Sequence, residues 1–142
     1  MIRLRRPRRW IAVLAALCAA AVLSSWAFVE LSTAAGEGFG VDQLHIRRTA
    51  GGHLLDLRYQ VVDSQRAASL LAEESMVYVI HAKSGKRLVV PSTPKTGPLR
   101  NTGVPKAGRS YFALFANPGG LAQPGDRVFV VLGALSAELT VE

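Results

Sequence analysis

The sequence predicts an all-β fold: an immunoglobulin-like antiparallel β-sandwich of about seven strands, carried behind one N-terminal transmembrane helix. Three observations predict it. Residues 10–29 carry no charge and follow a cluster of arginines. From residue 41 onward, short stretches of period-two or wholly apolar pattern alternate with turns rich in glycine, proline, asparagine and aspartate. With 142 residues, 49% of them hydrophobic, and a single Cys, the chain has room for one modest core, which excludes a multidomain enzyme and a disulfide scaffold. A small barrel is the alternative closure of the same strands.

Residues 1–9 hold Arg3, Arg5, Arg6, Arg8 and Arg9 and read as a cytoplasmic basic segment. The run from Trp10 to Val29 makes a helix of about 30 Å, the thickness of a bilayer core. Trp10 and Trp26 would stand about 24 Å apart along it, one near each interface. This run exceeds the roughly 7 to 15 apolar residues of a secretory signal, and the arginines before it direct everything after Val29 out of the cytoplasm. Cleavage stays open as an alternative to an uncleaved signal anchor, because Ser25-Trp26-Ala27 and Thr33-Ala34-Ala35 both offer small residues to a signal peptidase. Cys18 follows Leu17 where a lipoprotein signal needs a small residue. Ala12, Ala16, Ala20 and Ser24 form a small-residue stripe that chance explains in so Ala-rich a run. Residues 30–40, with Gly36, Gly38 and Gly40 and no periodicity, read as a flexible tether.

The β-sandwich domain is expected over residues 41–142. Val41 to Thr49 is a strand with Leu44 and Ile46 inward. Ala50-Gly51-Gly52 turns it into a second strand, Leu54 to Val62, in which Leu55, Leu57, Tyr59 and Val61 share one face and Asp56, Arg58 and Gln60 the other. Ser64 to Glu73 reads as one or two helical turns capped by Asp63 or Ser64. Met76 to His81 and Lys86 to Val90 form a hairpin around Lys83-Ser84-Gly85. Tyr111 to Ala116 and Arg127 to Leu132 are apolar on both faces and read as central strands of a covered sheet, with Phe112, Leu114, Val128 and Val130 in the core. Ala137 to Val141, with Leu139 inward, alternates as an edge strand. Asn117-Pro118-Gly119-Gly120 and Gln123-Pro124-Gly125-Asp126 supply the reversals between them.

The formal charge of +7 is uneven. The N-terminal arginines account for much of it, and no basic motif interleaved with aromatics accompanies them, so nucleic acid is excluded as a partner. Between Ser75 and Pro124 no acidic residue occurs, while Lys83, Lys86, Arg87, Lys95, Arg100, Lys106 and Arg109 all fall there. The flanking pieces are net acidic, so the domain carries a polarised field. Four of these cations, Lys95, Arg100, Lys106 and Arg109, sit in or beside the long connection Pro91 to Gly108. Its four prolines make it semi-extended and lower the cost of ordering it. These four are the candidate partner-binding residues, facing an acidic protein or another anionic surface; Arg109 is also expected to pair with Asp126 or Glu138.

The segments Val90-Pro91-Ser92-Thr93-Pro94-Lys95, Gly97-Pro98-Leu99-Arg100, Gly108-Arg109-Ser110-Tyr111-Phe112, Phe115-Ala116-Asn117-Pro118-Gly119 and Gly125-Asp126-Arg127-Val128 resemble a group of small exported or membrane-anchored bacterial proteins of uncharacterised function. The resemblance extends over about the last 90 residues, Tyr59-Gln60-Val61-Val62-Asp63 included. It implies a bacterial envelope protein and no active-site residue; with the arginines before residues 10–29, the expectation is a single pass in the inner membrane with the C-terminal domain in the periplasm or outside the cell, secreted if the signal is cleaved.

Chemistry is sparse. His45 and His53 flank the first turn without facing one another, and His81 and Met76 lie five positions apart on one strand, on opposite faces, so no metal site is expected. Nucleophile-elbow, metalloprotease, phosphate-loop and CxxC patterns are all missing. Glu73 and Glu74 are adjacent and point apart. No cofactor and no catalysis are expected. The reading is a membrane-anchored, extracytoplasmic, non-catalytic binding or accessory module; the alternative is a cleaved, released periplasmic carrier of a metal or small ligand.

Overall fold

The structure is a computed structural model that describes residues 36–142. The basic segment, the expected transmembrane helix and the first part of the expected tether lie outside the described residues. Among those that are described, no helix is long and apolar enough to cross a membrane.

Within residues 41–142, nine strands and one α-helix follow one another as β1 (Val41–Thr49), β2 (Leu54–Val61), α1 (Ser64–Leu71), β3 (Val77–His81), β4 (Arg87–Val89), β5 (Ser92–Thr93), β6 (Gly97–Pro98), β7 (Ser110–Ala116), β8 (Arg127–Leu132) and β9 (Leu135–Thr140). The fold is mostly β. All ladders between strands are antiparallel, in a three-stranded sheet of order β1-β2-β7, a four-stranded sheet of order β4-β3-β8-β9 and the small β5-β6 hairpin. The sheets do not close into a barrel, and the expected seven strands are all present; β5 and β6 are additions from the long connection.

Period two decides which side chains meet. Ile46, Leu55, Leu57, Val61 and Phe115 of the three-stranded sheet share one buried cluster with Val79, Val128, Val130, Leu132 and Leu139 of the four-stranded sheet. The expected inward residues of β1 and β2 are buried, and Tyr59, at 2% exposure, stacks on Tyr111 with ring centroids 6.1 Å apart. Burial pushes the Tyr59 hydroxyl up to about 12. The chain passes between the sheets through α1, whose Ala67, Leu70 and Leu71 are buried at helical spacing. Asp63 starts this helix by accepting from the Gln65 and Arg66 amides at 3.0 and 3.2 Å.

The expected core requires one correction on β7. Ala113 and Phe115 face the core, while Phe112 and Leu114 lie half-buried on the outer face. A strand apolar on both sides gives no sign of which side turns inward, and pairing of Leu57 with Ala113 and of Leu55 with Phe115 settles it. Nor is the β8 sheet covered on both faces, for Phe129 is 40% exposed.

Three further contacts position the surface described below. Val141, just past β9, forms a parallel bridge with Ile46, so this edge meets β1. Leu99 to Asn101 runs along the free edge of β7, with Leu114 N–H donating to Leu99 O at 2.9 Å and Asn101 N–H to Phe112 O at 3.0 Å. At the other end, Gly36 to Gly40 makes a turn on the domain, where Val62 and Asp63 N–H groups both donate to Gly40 O.

Candidate interaction surface

The long connection is built into the fold and is not a solvated arc. Its first part reverses at β5-β6, and Lys95 stands exposed in the reversal, close to the Thr93 and Thr96 hydroxyl pair. The next part carries Arg100 onto α1. There the guanidinium Nη2 donates to the carbonyls of Ala72 and Glu73 at 3.0 and 2.8 Å, where a helix end leaves acceptors unpaired and its dipole favours a cation. Gly103 N–H adds a bond to Leu71 O at 2.9 Å. The last part is held by Lys106 N–H donating to the Tyr111 hydroxyl at 2.8 Å, and by exchange between Val61 and the Gly108-Arg109 backbone at 2.7 and 2.9 Å.

The four candidate residues therefore differ. Lys95, Lys106 and Arg109 are exposed, and among the described residues none of them is in an ion pair. Arg100 is half-buried and holds α1 to the connection. The expected pairing of Arg109 with Asp126 or Glu138 does not occur. Arg109 precedes β7 in the three-stranded sheet, Asp126 is taken by His81 and Lys83, and Glu138 pairs with Arg127 at 3.0 Å.

Asp56, Asp63, Asp126 and Glu138 are each paired within the domain. Asp56 points to the outer face of β2 as expected, yet it is buried, held by Arg58 Nε at 2.9 Å and by Arg47 at 3.4 Å. Arg58 in turn lies 5.4 Å over the Phe112 ring. Asp63 caps α1 and pairs with Arg66.

A second cluster was not legible in the sequence. His81 Nε2 lies 3.2 Å from Asp126 Oδ2, His81 Nδ1 lies 2.8 Å from Ser84 Oγ, and Lys83 Nζ bonds the other Asp126 oxygen. Gln123 N–H donates to the same carboxylate at 2.9 Å. The Lys83 ammonium first, then the Gln123 amide, hold the Asp126 carboxyl well below the usual carboxylate range against the opposing effect of burial. An ionised Asp126 only accepts, so His81 Nε2–H donates to it, while Nδ1 shares a hydrogen bond with the Ser84 hydroxyl. Serine, histidine and aspartate in a row resemble a nucleophile relay, but here Lys83 neutralises the carboxylate and the nearby Gly85 N–H is spent on His81 O at 2.8 Å. The arrangement ties the β3-β4 turn to the turn before β8.

His45 is exposed and bonds the Gln43 carbonyl at 3.0 Å, and His53 ends the β1-β2 turn. Among the described residues no three His, Cys, Asp or Glu side chains converge as metal ligands. The described residues also line open hollows. One of about 390 Å³ lies between Ser64, Gln65 and Ala68 of α1 and Gly103 to Pro105, and one of about 200 Å³ is lined by Ala82, Lys83, Gly125 and Arg127. No protein family, curated protein or solved structure matches the chain.

Proposed function

We propose that the chain is a membrane-anchored, extracytoplasmic, non-catalytic binding module whose β-domain is of the immunoglobulin-like kind and presents its basic connection to an acidic protein surface. The strand orders β1-β2-β7 and β4-β3-β8-β9, with crossovers between the sheets after β2, after β4 and after β7, support the immunoglobulin-like reading. The resemblance to small exported bacterial proteins supports an envelope location, and the arginine cluster before residues 10–29 supports the orientation.

The observation that carries the binding role is the contrast within the connection. Its backbone is anchored along β7 and α1 by hydrogen bonds, while Lys95, Lys106 and Arg109 remain exposed and outside any ion pair among the described residues. Preordered backbone lowers the entropy lost on docking, and unpaired cations attract an anionic partner over a Debye length of about 8 to 10 Å.

Two measurements test this. Alkaline phosphatase fused after Glu142 is active only outside the cytoplasm, so an inactive fusion sinks the topology. Cross-linking in intact cells should capture a partner whose yield falls with Lys95→Glu, Lys106→Glu and Arg109→Glu combined and with added salt, at unchanged melting temperature. Capture indifferent to both leaves the connection as scaffold and removes it as the contact surface. Processing after Ala27 or Ala35 would instead favour a released carrier.

A further inference from the structure

The outer face of the four-stranded sheet carries more apolar surface than a solvated face requires. The cross-strand registers align it in two rows. One row reads Arg87, Ile80, Phe129, Glu138 from β4 to β9, and the next reads Val89, Tyr78, Val131, Ser136. Phe129 is 40% and Val89 52% exposed, while Tyr78, Ile80 and Val131 are half-buried. Their centre is uncharged. Charge flanks these rows, with Arg87 on β4 at one side and Glu138 on β9 at the other, where Arg127 of β8 pairs with it.

We propose that this face binds a second copy of the same chain. The argument is the polarity of the first row. If two such faces meet about a twofold axis parallel to the strands, β4 of one copy lies over β9 of the other. Arg87 then meets Glu138 of its twin, twice over, and Ile80 covers Phe129. An axis across the strands would instead set Arg87 against Arg87 and Glu138 against Glu138, so charge selects one arrangement. Both border residues are oriented in the single chain: Arg87 stacks 4.1 Å over Tyr78, and Arg127 holds Glu138 at 3.0 Å. Pre-set side chains lose less freedom on association.

The size of the face sets the strength. Four strands at about 4.8 Å spacing and five residues at about 3.4 Å give a plan area on the order of 300 Å², below the roughly 800 Å² per partner of a standard interface. The contact is therefore weak in free solution and becomes populated where chains are concentrated. Anchoring in one membrane, as proposed above, does that by confining chains to a thin layer. Leu99 to Asn101 of the basic connection lie along β7 of the other sheet.

Donor- and acceptor-tagged full chains, with fluorescent proteins fused after Glu142 and reconstituted in phosphatidylcholine vesicles, test the proposal. Energy transfer between wild-type chains should fall about fivefold or more for Arg87→Glu alone and for Glu138→Lys alone. It should return when Arg87→Glu donors are mixed with Glu138→Lys acceptors, since every cross-contact again joins opposite charges. Rescue by mixing cannot come from a folding defect in either variant. Equal transfer in all combinations, as contact through residues 10–29 would give, overturns the proposal, as does failure of the mixture to recover. If the chain does not float with the vesicles, the anchoring reading fails separately, and the same mixtures read by sedimentation in solution decide the contact.

Discussion

The Asn117 side-chain amide donates to Gly52 O at 2.9 Å, joining the turn after β7 to the turn after β1. The same amide nitrogen donates to Ala122 O at 3.0 Å, and its oxygen accepts from Ala122 N–H at 2.9 Å. The residue is fully buried. Gly52 is needed opposite it for a separate reason: its φ is +90°, and a Cβ there would run into the Arg48 guanidinium. Asn117→Ala leaves three buried backbone groups without this partner and should cost about 1 to 3 kcal/mol in urea denaturation. Asn117→Asp, which loses both donors and places acceptors against carbonyls, should cost more. A loss under about 0.5 kcal/mol for the alanine variant would mean that the turns do not depend on this latch.

A pair of truncations on β7 tests the assigned face. Phe115 has 0% exposure and its neighbour Leu114 is half-buried outward. Phe115→Ala should destabilise by about 3 to 5 kcal/mol, whereas Leu114→Ala should fall short of the roughly 2 to 5 kcal/mol typical of a core leucine. Reversed ranking in equilibrium unfolding would mean that β7 is turned over.

Much of this architecture was readable in the sequence because alternation along a strand is a physical signal. β2 declares its faces through Leu55, Leu57, Tyr59 and Val61 against Asp56, Arg58 and Gln60, and α1 declares its start through Asp63. β7 does not, since Phe112 and Leu114 are as apolar as Ala113 and Phe115 and only pairing with β2 breaks the tie. The connection from Pro91 to Gly108 reads as a loop because its partners lie outside it: the free edge of β7, the end of α1 and the Tyr111 hydroxyl. For the candidate surface, sequence supplied the cations and the acid-free span around them. It could not separate Arg100 from Lys95, because Arg100 acts on carbonyls 27 and 28 positions away. The His81, Lys83 and Asp126 cluster was invisible for the same reason, with separations of 45 and 43 positions.

Arg100 and Lys95 should therefore part company on mutation. Arg100→Ala removes two hydrogen bonds from a charged donor to the end of α1 and should cost about 1.5 to 3 kcal/mol. Lys95→Ala, at an exposed reversal, should change stability by no more than about 0.5 kcal/mol while weakening partner capture. Thermal melts alongside the cross-linking yield separate the two effects. A stability loss at Lys95 equal to that at Arg100 would assign both to the scaffold.

Asp126 should govern the acid limb of stability. Its folded carboxyl is held well below the usual carboxylate range, chiefly by the Lys83 ammonium, whereas the unfolded chain takes up a proton near the ordinary value of about 3.9. The folded state thus binds this proton less readily than the unfolded state. The stabilisation is complete above about pH 5 and drains away as pH falls through the ordinary value toward the folded one. Asp126→Asn lacks that ionisation, so it should be less stable than the wild type at pH 7, with the gap in melting temperature narrowing between about pH 5 and pH 2. Lys83→Met should reproduce part of the change, because it removes the first cause of the shift and leaves the Gln123 and His81 bonds in place. A gap between wild type and Asp126→Asn that stays constant from pH 7 to about pH 2 would show that Asp126 gains nothing from being ionised in the folded protein, and that the tie between the two turns rests on its neutral hydrogen bonds alone.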